Sequence, residues 1–114
     1  MARILAQDEL PTAVVTANDL TAIGALRTIH ERGLRIPDDI SITGCDDIAM
    51  SDMVYPPLTT LRISRKEYAR LLFEALREGS DLNRMGKQYV LSTSLVERKS
   101  TGPPAKMEKP LRRS

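Results

Sequence analysis

The 114-residue sequence has one cysteine, one histidine, no tryptophan, one phenylalanine and three tyrosines. A lone cysteine, Cys45, excludes an intramolecular disulfide framework and any cysteine-rich zinc site, and fits a reducing compartment. A lone histidine, His30, leaves no second histidine for a metal pair. No G-x-S-x-G, H-E-x-x-H or phosphate-binding glycine loop occurs, so the common catalytic frames are missing. No apolar run approaches the ~18 residues needed to span a bilayer. Acidic residues interrupt the N-terminus where a secretory leader would keep its apolar stretch. Repeats and sustained heptads are lacking too. The expectation is a cytoplasmic, soluble chain with no cofactor, no metal site, no membrane contact and no catalytic residue. With so few aromatics, its core must be built from Ile, Leu, Val and Ala.

What is present is ordinary for a globular protein: 41% hydrophobic and 28% charged residues. The net charge of +2 is unevenly placed. Lys106, Lys109, Arg112 and Arg113 face only Glu108 in the last ten residues, so the rest of the chain is close to neutral. The body therefore carries no electrostatic footprint for nucleic acid. Residues 105–114 lack apolar periodicity and read as a disordered basic tail.

Along the chain, residues 2–7 look like the end of a helix, closed by Pro11. Thr12–Ala17 is an uncharged, β-branched run of the kind found in a strand buried on both faces of a parallel sheet. Asn18 or Asp19 then caps a helix whose apolar stripe is Ala22, Ile23, Leu26, Ile29 and His30. Gly33 stands where a left-handed residue closes a helix, with Leu34 placed to pack back on Ile29. Ile40–Cys45 is a second strand, completing a strand–helix–strand crossover. A loop with Pro56 and Pro57 leads to a third strand, Leu58–Ile63. Ser64 and Glu67 form a capping box that opens a helix from Arg65 to Glu78, with Tyr68, Leu71, Leu72, Ala75 and Leu76 on one side and Gly79 at its end. Gln88–Glu97 is extended.

In open parallel sheets, ligands bind outside the carboxyl ends of the strands. The first strand runs into Asn18-Asp19 and the second into Asp46-Asp47, so all four polar residues are expected on one rim. A carboxylate accepts from two hydroxyls and an amide both donates and accepts, which suits a hydroxyl-rich ligand. The same residues would serve equally as a helix cap and a chain turn. As a metal site Asp46-Asp47 lacks further clustered ligands. His30 reads as a helix-face residue near a C-terminus, and Cys45 as a buried apolar thiol.

Several motifs occur in fixed order: P-T-A-V, A-N-D, A-I-G-A-L, G-L-x-I-P-D-D-I-S, G-x-D-D and P-P-L-T-T, with S-L-V-E-R-K-S-T-G-P-P near the end. Over residues 2–104 they resemble the C-terminal half of LacI/GalR-type bacterial transcriptional regulators. The resemblance implies an α/β fold, a parallel-sheet three-layer sandwich that is part of a type I periplasmic-binding-protein-like domain. It lacks the N-terminal strands and the helix-turn-helix. On that pattern residues 1–104 are a partial effector-binding domain. Residues 12–62 and 94–100 fall in its C-terminal subdomain and 63–93 supply N-terminal subdomain elements.

The resemblance places Asn18 and Asp46 where such regulators contact a sugar or nucleoside effector. It assigns Ile23, Leu26, Arg27, Met50, Met53 and Val54 to a homodimer interface, with domain swapping as one way of completing the sheets. It puts Ile63, Ser64, Ser92, Thr93 and Ser94 at the hinge between subdomains; at Ile63 several members have a glutamine. Operator DNA would be bound only through an N-terminal segment outside this chain. The implied function is effector sensing and dimerisation in a transcriptional regulator. A sugar-binding protein of a transport system and a remnant without ligand affinity are the competing readings.

Overall fold

The computed structural model describes residues 1–78 and 88–104. Its elements are β1 (Ala13–Val15), α1 (Asp19–Glu31), β2 (Ser41–Cys45), α2 (Met50–Met53), β3 (Thr59–Ile63), α3 (Arg65–Arg77) and β4 (Thr93–Val96). They form one four-stranded sheet in the order β1-β2-β3-β4. β1 pairs parallel with β2 and β2 parallel with β3, whereas β4 returns antiparallel to β3. The fold is mixed α/β on a mostly parallel sheet, as the strand–helix–strand pattern requires.

Helix α1 forms because both of its ends are chemically closed. The Asn18 side chain accepts from the Thr21 amide at 2.8 Å, and Asp19 stands in the first turn, where the helix dipole favours an anion. At the other end the Leu34 amide donates to the Ile29 carbonyl and the Gly33 amide to the His30 carbonyl, with Gly33 at φ 72°. This is the Schellman closure the glycine announced, in a conformation a β-carbon would disfavour.

Alternation along the strands decides which face is covered. Val14, Ile42 and Thr60 point toward α1, and Ala22, Ala25, Leu26 and Ile29 meet Ile40, Ile42, Leu58 and Leu5 in the buried core. The opposite face carries Val15, Leu61 and Leu95, exposed at 84%, 39% and 62%. Part of that face is covered by the chain beyond β4. Ser100 is fully buried, its hydroxyl accepting from the Thr59 amide and donating to the Ile42 carbonyl, and Gly102 meets the Ser41 hydroxyl.

Four expectations change. Residues 2–7 form turns rather than a helix end; Ile4 and Leu5 amides both donate to the Met1 carbonyl, and a segment that short cannot sustain helix cooperativity. β1 is shorter than Thr12–Ala17 and is covered on one face only, because among the described residues no element packs on Val15, and the same face leaves Leu61 of the internal strand β3 exposed. The loop before Pro56 contains one helical turn, α2, too short to show periodicity. The extended segment 88–97 narrows to four paired residues. Gly79 and the basic tail 105–114 lie outside the described residues.

Helix α3 has the expected cap, the Glu67 amide donating to the Ser64 hydroxyl at 3.3 Å. None of its residues is buried, and Tyr68, Leu72, Phe73 and Leu76 are exposed. No described helix is long and apolar enough to cross a membrane.

Candidate functional site: the carboxyl rim of the parallel strands

The parallel register aligns Val15 with Thr43. Asn18 and Asp46 each lie three residues beyond that pair, so both stand at the same end of adjacent parallel strands. Asn18 is half-buried, and its side-chain oxygen is committed to the α1 cap, leaving the amide NH₂ as its free donor. Asp46 is exposed, and among the described residues its carboxylate makes no hydrogen bond or ion pair. Its backbone sits at φ 117°, a region non-glycine residues rarely enter, and its amide donates to the Leu61 carbonyl at 2.8 Å. Such a conformation persists only where the surroundings hold it.

Two open clefts meet at Asp46. One, of about 370 Å³, is lined by Asp46, Ile63, Arg65, Tyr68 and Leu91. The other, of about 330 Å³, is lined by Asp46, Asp47, Arg62, Ile63, Ser64, Arg65 and Lys66. Asn18 lines neither. A carboxylate, a guanidinium and a phenol beside aliphatic side chains provide an acceptor, a donor and a flat surface for a small polar ligand.

The other two rim residues are drawn inward. Asp19 is fully buried, and its carboxylate accepts from the Ser51 hydroxyl at 2.6 Å, the Ile48 amide at 2.9 Å and the Thr60 hydroxyl. Asp47, at φ 51°, turns onto Arg98 at 2.8 Å and Arg62 at 2.6 Å. The rim therefore presents two of the four polar residues, because Asp19 and Asp47 have internal donors to satisfy. Neither Arg98 nor Arg65 was singled out from the sequence. Arg98 lies in the S-L-V-E-R-K-S string, but its partners are dozens of residues away.

Burial raises the Asp47 carboxyl pKa, but hydrogen bonds and charge from Arg98 and Arg62 outweigh it and hold the group below the ordinary carboxylate range. Asp39, hydrogen-bonded by the Arg35 side chain and then its backbone amide, is held at about 2. A carboxyl with a depressed folded pKa adds stability above the unfolded value of about 4, and that stability is lost as pH falls through the folded pKa. The thermal midpoint should thus fall between about pH 4 and pH 2. Arg98→Met should lower the midpoint at pH 7 and make its decline below pH 4 shallower; a parallel decline in parent and variant would contradict the pairing.

The Cys45 thiol is half-buried, and burial, then the neighbouring charges of Asp46 and Asp19, push its pKa up. That disfavours the thiolate a nucleophile needs. No group of three or more metal-ligating side chains occurs among the described residues.

The residues assigned to a dimer face separate by exposure. Met50 and Met53 are exposed at 48% and 81%, and Tyr55 beside them at 85%. Ile23 and Val54 are half-buried, and Arg27 is exposed and paired with Glu31. Leu26 is turned into the core at 3% exposure. Ile23, Leu26, Arg27, His30, Glu31, Val54 and Tyr55 line one shallow depression. The residues assigned to a hinge lie together: Ile63 pairs with Thr93 and Arg62 with Ser94 across β3 and β4, while Ser64 caps α3 and Ser92 precedes β4.

Comparison with known proteins gives a consistent result. Residues 1–101 match the family model of the periplasmic binding protein-like domain. The chain is 49% identical over 85 residues to the HTH-type transcriptional repressor PurR of Pasteurella multocida, covering 71% of this chain and 25% of that protein. It is 38% identical over 104 residues to PurR of Haemophilus influenzae, covering 88% of this chain and 31% of that protein. Among solved structures, a dimeric Lac repressor with an 11-residue C-terminal deletion superposes with a TM-score of 0.76 at 37% identity, over 90% of this chain and 38% of the repressor. A LacI family transcriptional regulator from Bifidobacterium animalis subsp. lactis gives 0.78 at 30% identity, over 91% of this chain and 38% of that one. The chain thus spans about a quarter to a third of the curated relatives' length.

Proposed function

The chain belongs to the periplasmic-binding-protein-like domain family and matches the C-terminal part of LacI-family regulators; from this we propose that it is the effector-sensing and dimerising portion of a bacterial transcriptional regulator. The observation that carries the proposal is the rim. A parallel crossover sets Asn18 and Asp46 at equivalent steps of β1 and β2, and Asp46 faces open clefts with its carboxylate unengaged by any described residue. A sugar or nucleoside effector offers the hydroxyls such a pair binds.

On this reading, effector binding shifts the population between open and closed arrangements of two subdomains about Ile63-Ser64 and Ser92–Ser94. The paired β3–β4 ladder supports that role, since both chain passages lie side by side. Operator DNA is contacted by a segment outside this chain, and the protein works in the cytoplasm. A transport-type sugar-binding protein shares the fold, but the relatives above are named as transcriptional repressors.

Titration calorimetry against pentoses, hexoses and purines tests the reading. Saturable heat with one class, abolished by Asp46→Ala, is expected; absence of heat throughout would leave a remnant without effector affinity. The dimer assignment predicts that Met50→Asp with Met53→Asp, four charges per symmetric interface, weakens association on the order of 100-fold or more. Light scattering across a dilution series reads this directly, and an unchanged mass profile would move the interface elsewhere.

A further inference from the structure

We propose that Asp19 is the positioning residue of the effector rim: its buried carboxylate, which touches no ligand, holds the Asp46 loop in register with the helix that carries Asn18. The inference rests on the effector reading above and adds a residue to it.

The geometry is specific. Asp19 directly follows Asn18 and opens α1. Its Oδ2 accepts from the Ile48 amide and the Ser51 hydroxyl, and its Oδ1 from the Thr60 hydroxyl. One carboxylate thus joins three pieces of chain: the start of α1, the loop two residues beyond Asp46, and the third strand. Among the described residues nothing else in that loop hydrogen-bonds to α1. Asp46 and Asp47 both occupy left-handed backbone conformations, which a free loop would leave, so the loop needs an external anchor. The Asp46 amide bond to Leu61 anchors the near side and the Arg62 and Arg98 pairs hold the Asp47 side chain, while the Ile48 amide bond to Asp19 is the anchor that fixes the far side to α1.

A second, independent observation concerns Gly44. A β-carbon there would collide with the Asp19 carboxylate and approach Leu58 Cδ2 at 3.0 Å. The second strand therefore gives up its side chain at the one place where the carboxylate must pass over the sheet to reach Thr60. Sequence and structure agree on reserving this space for Asp19, which a helix cap alone does not need, since Asn18 already caps the helix.

The experiment uses the chain with D-ribose and inosine as probes, in two arms. The first needs no ligand. Asp19→Asn should raise the exchange rate of the Ile48 amide at least about 10-fold while the amides of Ile29 and Ile42 stay protected; equal loss at all three would mean general unfolding and would overturn a local positioning role. The second compares Asp19→Asn, Asp46→Asn and the double variant. Asp19→Asn alone should weaken the probe that binds by about 10-fold, and the double variant should bind little worse than Asp46→Asn, because a misplaced Asp46 has already lost its contact. Effects on affinity that simply multiply would overturn the positioning role with the effector site intact. An Asp46→Asn variant that binds like the parent would instead sink the effector site and the inference with it. Should Asp19→Asn fail to fold, Ser51→Ala removes one loop-side donor alone. It is expected to weaken the same probe about 3-fold, and unchanged affinity would count against the proposal.

Discussion

Replacing Asp19 with alanine should destabilise the chain by on the order of 3 kcal/mol or more, the largest loss expected from any single polar substitution among the described residues. The magnitude follows from what is left behind. Ser51 and Thr60 are 0% exposed, so their hydroxyls, together with the Ile48 amide, would lose an acceptor where water has little access. Each orphaned donor costs about 1–3 kcal/mol, partly relieved as hydroxyls rotate to other acceptors. A small domain has about 5–15 kcal/mol in total, so the variant should be substantially unfolded at moderate urea. Asp38→Ala is the control. Asp38 meets Arg35 at 3.6 Å with both side chains more than 60% exposed, and such a pair contributes little in water. Urea titration followed by circular dichroism separates the two; equal midpoints for Asp19→Ala and the parent would contradict the burial described.

Asp46→Asn should have the reverse profile: nearly unchanged stability and effector affinity reduced by about 10- to 100-fold. The carboxylate is exposed and has no intramolecular partner among the described residues, so its removal orphans nothing in the fold. Asparagine also enters left-handed backbone conformations more readily than most residues, which suits φ 117°. A hydrogen bond from a ligand hydroxyl to a charged acceptor is worth about 1.5–3 kcal/mol, which converts to that range of affinity. Calorimetry with the binding probe and a thermal melt on the same sample make the comparison. A large fall in melting temperature with preserved affinity would assign Asp46 a structural role instead.

The contrast between these neighbouring acids also shows where sequence reasoning succeeds and stops. The crossover was legible because its signals are local. Asn18 precedes a helical stripe and Gly33 follows it, so cap, helix and Schellman closure could be read within a window of some 17 residues. Strand direction then placed Asn18 and Asp46 at one end of the sheet from the pattern alone. The division of labour among the four rim residues was not legible, because it depends on partners remote in sequence. Thr60 lies 41 residues from Asp19, and Arg98 lies 51 from Asp47. Gly44 carried a trace of this: a glycine in the middle of a β-branched strand signals a close approach, here by the Asp19 carboxylate. The four-residue α2 left no periodic trace, and the exposure of Val15 follows from the lack of a covering element on that face among the described residues rather than from its composition. Helix α3 shows the converse. Its capping box and apolar stripe predict the helix correctly, yet the stripe remains uncovered among the described residues.

Amide chemical-shift mapping during titration with D-ribose and with inosine puts the effector rim to the sharpest test. Perturbations should concentrate at Asn18 and at Asp46 and its cleft neighbours Ile63, Arg65 and Tyr68, saturating together with a single affinity. Saturable shifts confined to the Met50–Tyr55 surface or to the far ends of the strands, with Asn18 and Asp46 unmoved, would contradict the account.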